Sequence, residues 1–479
     1  MLHRSRSRLF PIVVVLAVCA LGWVGWKMFR DMSAPTITLT PNQEQVSPTL
    51  PLTVTAEDAK SPIKRIRVSA RKGDAVLPVA EKTYDDGSHK QSLTFTMKDT
   101  GINDAAFELI ISASDDSFGG FGRGNSEEIT LPMRIDVSPP RIAVKSSVPY
   151  VRRGGTGCVV YSISKEATQT GVKVGELFFP GYRQENGDYI AFFAFPYQME
   201  NKDFSPQIMA VDLAGNSQVN TLNVNRINRV FKSDSINIGQ SFLDAKADEF
   251  SLLVPGQMSD IQRFLEVNGR VRRENAQTLL EIGKNSFAEI LWDGSFLRLP
   301  DAAPRAGFAD HRTYMWEGKE VDQQTHLGLD LASLAQSAVP ASNSGTIVFA
   351  GYLGIYGNLV VIDHGLGLQS LYSHLTDHQV SVGQTVQKGD IIGHTGTSGM
   401  AGGDHLHFGI LISGVEVTPI EWLDAHWIRD NVSDRILAAG GKAPKIVLST
   451  PPPADPPAKK QQPPRRSGGS GRSGGQKRR

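Results

Sequence analysis

His405-Leu406-His407-Phe408 sets two imidazoles two residues apart, with apolar side chains between and after them. In a strand, positions i and i+2 share a face, so His405 and His407 look into one cavity while Leu406 and Phe408 enter a core. Glycine crowds the surroundings, at Gly393, Gly396, Gly399, Gly402, Gly403 and Gly409. An open groove with backbone close to a ligand uses such residues. Working outward, Leu371-Tyr-Ser-His374-Leu375 reads as a second strand, with the run from Tyr356 to His364 as its hairpin partner. Further upstream, His326-Leu-Gly-Leu-Asp330 places an imidazole and a carboxylate four positions apart. Gly328 and the Leu-Ala that follows Asp330 favour a loop-and-strand setting over a helix.

Nine of the chain's 11 histidines fall between His311 and His426, so chemistry is expected in the last third of the chain. A catalytic zinc takes three protein ligands, His or Asp/Glu, and keeps a fourth position for water. His326 and Asp330 can converge on one ion. One of His405 and His407 can ligate, leaving the other to reach water or substrate. A third imidazole in the cavity, His374, would shuttle a proton or stabilise an oxyanion. His311, His364, His378, His394 and His426 are read as structural or surface residues, with His364 the nearest of them to lining the groove. The chain has no H-E-x-x-H, and so no glutamate base of that kind.

Length and charge frame this site. A chain of 479 residues is too long for one core. The net charge of +1 conceals +5 in residues 1–30 and +9 in residues 442–479. An acidic body between basic ends argues against a nucleic-acid partner. Cys19 lies in an apolar run and Cys158 in an expected strand, both far from the histidines, so neither a thiolate metal site nor a disulfide framework is expected.

The basic residues 1–8 precede an uncharged run from Leu9 to Trp26. Residues 9–29 are expected to form an uncleaved transmembrane signal anchor, with Trp23, Trp26 and Phe29 at an interface. A cleavable signal peptide is the competing reading, but the small-x-small site is poor. The positive flank puts the N-terminus in the cytoplasm and the body outside. The localisation expected is a single-pass protein of a bacterial inner membrane, with its catalytic part in the periplasm or cell-wall space.

Residues 34–136 carry period-two strands such as Leu52-Thr-Val-Thr-Ala56, punctuated by Gly, Pro, Asp and Asn. A weak repeat follows. Ser33-Ala-Pro-Thr-Ile37 is echoed by Ser138-Pro-Pro-Arg-Ile142, and Ile111-Ser-Ala-Ser-Asp115 by Met209-Ala-Val-Asp212. Two tandem immunoglobulin-like β-sandwiches, 34–136 and 139–226, are predicted. Each serves either as a spacer or docking surface for protein partners or as plain scaffold. Residues 227–290 are a short helical linker region: Ser259-Asp-Ile-Gln262 is a capping-box pattern, Asn268-Gly269 breaks the helix, and Gly283 stops a second one. This region joins the sandwiches to the catalytic unit and is also placed to lie across its cleft. Residues 296–428 form the glycine-rich β catalytic domain. Residues 441–479, rich in Pro, Gly, Ser, Lys and Arg, are expected to be disordered.

Residues 308–422 resemble the lysostaphin-type zinc metallopeptidase domain, or LytM domain. The matching segments are His326-Leu-Gly-Leu-Asp330, Tyr356-Gly-Asn358, Leu371-Tyr-Ser-His374-Leu375, Val382-Gly383, Val386-Gln-Lys-Gly389, Ile391-Ile-Gly393, Gly396-Thr-Ser-Gly399 and His405-Leu-His407-Phe408. The resemblance implies a mainly β chain ending in an antiparallel sheet with one Zn2+ in a groove. It implies His326, Asp330 and His407 as zinc ligands, His374 and His405 as unligated catalytic histidines, and peptide bonds of peptidoglycan stems or cross-bridges as substrate. One departure is Asp404, where the family often has a small residue or proline. Asp404 either orients His405 or faces solvent. A non-catalytic scaffold that recruits another wall hydrolase, and a protease of secreted proteins, are the rival functions. The filled ligand positions favour catalysis.

Overall fold

The computed structural model describes residues 9–29, 31–118 and 123–446. The expected basic N-terminus and the tail beyond residue 446 lie outside the described residues. Leu9–Phe29 is one helix. Among the described residues no helix is long and apolar enough to cross a membrane, so the expected transmembrane span finds no support in the structure.

The first β block packs two sheets. One holds Thr36–Thr40, Leu52–Glu57 and Lys90–Phe95. The other runs, in spatial order, Gln45–Val46, Ser126–Ile135, Ala106–Asp115, Ile63–Lys72 and Ala75–Thr83. Leu52, Val54 and Ala56 are buried while Thr53 and Thr55 are not, as period two requires. The alternating apolar residues of both sheets form one closed core of their own.

The second block also has two sheets, Tyr182–Arg183, Tyr189–Ala194, Thr156–Ile163 and Ile142–Ser147 against Leu177–Pro180, Ala167–Val174, Gln207–Asp212 and Ser217–Thr221. Its core is not its own. It runs without a break into that of the C-terminal β domain. Trp422 meets Phe192 edge-on at 5.5 Å, and its Nε1 donates to Thr156 Oγ1 at 3.2 Å. Thr156 N donates to the buried Glu421 carboxyl at 2.8 Å.

The C-terminal sheet is antiparallel throughout its pairings. Its main path is Ala303–Ala306, Leu329–Ala332, Leu406–Ile412, Leu368–His378, Asn358–Asp363, Gly345–Tyr352 and Thr385–Val386. One face carries Tyr372, Phe408 and Ile410 into the core shared with the second sandwich. The other carries Leu371, Val361 and Leu411 against helices. Burial on both faces explains why Leu406–Ile412 shows no exposed position.

Those helices come from the region expected to be a linker, and three expectations there change. The region begins with a strand, Ser233–Asn237, parallel to Asp310–Trp316 in a sheet completed by Lys319–His326. A separate helix, Gln240–Leu253, precedes the capping box, which forms as the Ser259 and Gln262 pattern predicts. Asn268-Gly269 does not break the chain. It sits in a π turn, Val267–Val271, that carries Asp260–Glu266 into Arg272–Ile282. Asn268 stays helical because its side chain is satisfied, donating to Asp322 Oδ2 at 2.7 Å and accepting from Arg272 at 2.6 Å. Gly283 does end the helix, but with φ −71°. Its glycine is needed for close approach, since a Cβ there would lie 2.1 Å from Gly414 N. The strand-and-turn pattern also stops earlier than expected: Pro419–Leu423 and Ala425–Ile428 are helical.

Candidate metal centre

His326 closes the strand Lys319–His326, and Asp330 sits in Leu329–Ala332 after the tight Leu327-Gly328 turn. In the sheet register Asp330 faces His407 on the neighbouring strand. Gly328 is required by this packing, because a Cβ there would come within 2.5 Å of His407 Nε2. The result is a buried triangle. His326 Nε2 lies 2.8 Å from Asp330 Oδ1 and 2.9 Å from His407 Nδ1, and His407 Nδ1 lies 3.0 Å from Asp330 Oδ1.

The proton positions decide what this triangle can hold. His326 Nδ1 lies 2.8 Å from the Gly307 carbonyl, so it carries the hydrogen and leaves a lone pair on Nε2. His407 Nε2 is buried without a partner, and its Nδ1 faces the other two atoms. The His326 Nε2 lone pair and the Asp330 carboxylate oxygen therefore point at one another, with His407 Nδ1 beside both. A cation shared by the three would relieve that, and two imidazoles with one carboxylate are a zinc donor set. The residues present fit the ion that the resemblance implies.

Burial opposes charge on Asp330, but the His326 imidazole and the close approach of the His326, His405 and His407 rings outweigh it and hold the carboxyl well below the usual carboxylate range. The Arg312 guanidinium adds a bond to Asp330 Oδ2 at 3.0 Å. Burial pushes His407 down to about 4 and His374 well below the ordinary histidine range.

His374 and His405 stand beside the triangle, their ring centres 4.9 Å apart. His374 is brought there by an irregularity. Asn358 pairs with Leu375 and Val360 with Tyr372, so two residues, Ser373 and His374, oppose Leu359 alone. This bulge and a φ of +63° turn His374 out of the alternation, toward the cavity. Bulges re-aim side chains in this way, and a left-handed non-glycine costs on the order of 1–3 kcal/mol. The His374 Nδ1 hydrogen is donated to Ser398 O at 2.8 Å, and that of His405 to Gly403 O at 2.8 Å. Each ring is left with a free Nε2. For His405 that atom lies 3.5 Å from Asp330 Oδ1.

All five residues singled out from the sequence line one cavity of about 410 Å3. His364 does not. It is fully buried, bonded to Ser344 O and Ser370 Oγ, and packed against Phe296, and burial lowers its pKa to about 4. Asp404 neither orients His405 nor sits idle: its Oδ2 accepts from Gln336 N at 3.1 Å. Sequence reasoning gave no role to Arg312, Tyr356 or Glu416, which also line the cavity. Arg312 and Tyr356 are not zinc-ligand types, and Glu416 stands in no spacing pattern with the histidines. The helical region, one of whose expected placements was across the cleft, supplies a wall of the site. Phe242, Phe264, Arg272 and Ala276 face the histidines across the cavity. Glu249 accepts from Gly399 N, and Lys246 donates to Thr397 O, which ties the first helix to the loop that holds His374.

This is the site of a metallopeptidase fold. Residues 324–419 match the family model described as Peptidase family M23, so the C-terminal part of the chain is an M23-type metallopeptidase domain. The chain is 40% identical over 95 residues to the DD-carboxypeptidase/endopeptidase Mpg of Neisseria meningitidis, a match covering 20% of this chain and 22% of that protein. It is 34% identical over 96 residues to the peptidoglycan DD-endopeptidase ShyA of Vibrio cholerae, again 20% and 22% of the two chains. Among solved structures, the catalytic domain of lysostaphin from Staphylococcus simulans is similar at 28% identity and a TM-score of 0.23, covering 26% of this chain and 94% of that one. The chain thus spans about a fifth of the length of the curated relatives it matches.

Proposed function

We propose that this protein is a zinc endopeptidase that hydrolyses peptide bonds in peptidoglycan stems or cross-bridges. The observation that carries the reading is the convergence of His326 Nε2, Asp330 Oδ1 and His407 Nδ1 in one buried triangle, with two further imidazoles beside it. His326, Asp330 and His407 would hold the ion. When bound, zinc supplies Lewis acidity: it makes water nucleophilic near neutral pH and draws charge from a carbonyl oxygen. His405 takes the proton of the attacking water at Nε2, the only ring atom not engaged with backbone. That proton ends on the amine released from the broken C–N bond. His374, whose bulge sets it against His405, steadies the carbonyl oxygen or delivers the proton to the amine. Arg312 keeps Asp330 oriented and its charge balanced.

The two β blocks are proposed to be immunoglobulin-like domains that position the catalytic unit and offer surfaces to protein partners. Attachment to a bacterial inner membrane through residues 9–29, with the body outside the cytoplasm, rests on the sequence alone. Carbonate extraction of membranes tests it: release into the soluble fraction would end that reading.

The central test uses the full chain with and without His326→Ala. Zinc is measured by elemental analysis and muropeptide release from purified sacculi by chromatography. About one zinc per chain, with release of uncross-linked muropeptides that the variant loses, is the expected result. Absence of both from the wild type would move the assignment to a non-catalytic scaffold.

A further inference from the structure

The two sandwiches carry the same acidic corner, but only the second supplies its own cation. In the second, Asp136 Oδ1 accepts from Ser138 N at 2.9 Å and Asp212 Oδ1 from Asn216 N at 2.8 Å. Asn216 Nδ2 bridges them, donating to Asp212 Oδ2 at 3.2 Å and Asp136 O at 3.0 Å. Lys165, from the loop after Thr156–Ile163, puts its ammonium between the carboxylates, 2.7 Å from Asp136 Oδ2 and 3.3 Å from Asp212 Oδ2. The corner is neutralised from within.

The first sandwich repeats this nearly atom for atom. Asp31 Oδ1 accepts from Ser33 N at 3.1 Å, and Asp115 Oδ1 from Asn125 N at 2.7 Å. Asn125 Nδ2 donates to Asp115 Oδ2 at 3.0 Å and Asp31 O at 3.2 Å. The cation is replaced by an anion. From the loop after Leu52–Glu57 comes Asp58, and carboxylate oxygens of Asp31, Asp58 and Asp115 lie within 4.8 Å of one another. The three residues are 3%, 4% and 1% exposed. Asp31 Oδ2, the counterpart of the oxygen that Lys165 holds, is buried and accepts no hydrogen bond. Burial opposes charge on Asp31, but the nearby Ser61 hydroxyl, the Ser33 hydroxyl and amide and the Lys60 field hold its carboxyl below the usual carboxylate range. Lys60, in the same loop, is exposed and acts on Asp31 only through its field, while Lys64 pairs with Asp85 and Asp116. Among the described residues no Lys or Arg forms an ion pair with any of the three.

Three buried carboxylates, one with an open acceptor oxygen and none paired with a Lys or Arg among the described residues, offer a converging set of oxygen donors to a cation. We propose that the first sandwich binds a divalent cation, calcium by its donor chemistry, between Asp31, Asp58 and Asp115. All donors are hard oxygens, and the irregular junction of three loops suits the flexible coordination of calcium better than the strict octahedron of magnesium. The ion ties the approach to the first strand, the loop at Asp58 and the end of Ala106–Asp115 into one corner, as Lys165 does in the second sandwich. The site is separate from the zinc centre and does not depend on the peptidase reading.

The test uses the full chain, stripped of metal on a chelating resin and resupplied with zinc. Calcium chloride is titrated by calorimetry, and hydrogen exchange is followed with and without calcium. Expected are one calcium per chain and slowed exchange at the amides of Lys60, Ser61, Ser117 and Asn125, which donate to the cluster's carboxylates. Asp58→Lys, which copies the second sandwich, should abolish binding and protect the Ser117 and Asn125 amides, which donate to Asp115, without calcium. Asp58→Asn should weaken binding at least about tenfold while leaving the corner packed. The proposal is overturned if the wild type binds neither calcium nor magnesium at millimolar concentration, which would make Lys60 the counter-charge. It is equally overturned if Asp58→Asn binds calcium as tightly as the wild type.

Discussion

The two sandwiches share a strand pattern and an acidic corner, yet they belong to different mechanical units. The first closes a core of its own, from Leu39 to Ile135. The second has no closed core: Phe192 and Tyr189–Ala194 continue into Trp422 and the catalytic sheet. Similar sequences of strands therefore say little about independence. What decides it is whether the large apolar side chains at the ends of a block find partners inside that block. By this measure the second sandwich is part of the body that holds the peptidase site, and the first is an appendage.

The sharpest way to break that distinction is to remove the side chain that joins the two halves of the body. Trp422 is fully buried and sits edge-on to Phe192, Trp292 and Phe296 at 5.5, 5.7 and 5.8 Å. Trp422→Ala should cost about 3–5 kcal/mol. Scanning calorimetry of the full chain should show the second sandwich and the peptidase domain melting early together, with the first sandwich unmoved. Two separate early transitions would mean that the shared core is only a contact.

Glu421 makes the same junction sensitive to pH. Burial pushes its carboxyl up to about 8, against its hydrogen bond from Thr156 and the fields of Arg152 and Arg229. An unfolded glutamate titrates near 4.3. The folded chain therefore keeps a proton that the unfolded chain loses between about 4.3 and 8. The contribution is fully present below that window and is lost as pH rises through it, at no more than about 1.4 kcal/mol per pH unit. Glu421→Gln should remove this slope. The difference in melting temperature between wild type and variant, followed from pH 5 to 8, measures it, and a constant difference would refute the assignment. The first sandwich should show no such term. Its own probe is Ile111→Val, a buried methylene worth about 1 kcal/mol, which should lower its transition alone and leave hydrolysis unchanged.

How much of this was legible in the sequence follows the same divide. Leu52-Thr-Val-Thr-Ala56 alternates because one face of its sheet is buried and the other is not, so the first sandwich could be read strand by strand. Tyr189–Ala194 is buried at every position, and an apolar run of that kind names neither its layer nor its partner. The fusion with the peptidase domain was invisible for that reason. At the candidate metal centre, His405 and His407 obeyed the two-residue period. His374 reached the cavity through a bulge, which no periodicity encodes. Asn268-Gly269 misled because a glycine outweighs its neighbours in a propensity argument, whereas here the Asn268 side chain is fully bonded inside the π turn.

The smallest effect concerns the helices over the groove. With them in place the cavity of about 410 Å3 is small for a cross-linked peptide held in a wall, so the helix Gln240–Leu253 should move for such a substrate to reach the histidines. Glu249 holds it shut from two sides, accepting from Gly399 N and from Tyr352 OH, and it steadies Lys246 at 2.9 Å. Glu249→Ala should raise kcat/KM on cross-linked muropeptide dimers a few-fold, which corresponds to a barrier lowered by less than about 1 kcal/mol. The gain should lie in KM. Hydrolysis of a short peptide that fits the closed cavity should stay level, because His374 keeps its bond to Ser398 O. A fall in kcat on both substrates would show instead that Glu249 serves to position His374 through the 397–399 loop. The helix would then be a fixed wall of the catalytic body, like the second sandwich behind it, and not a cover that substrate displaces.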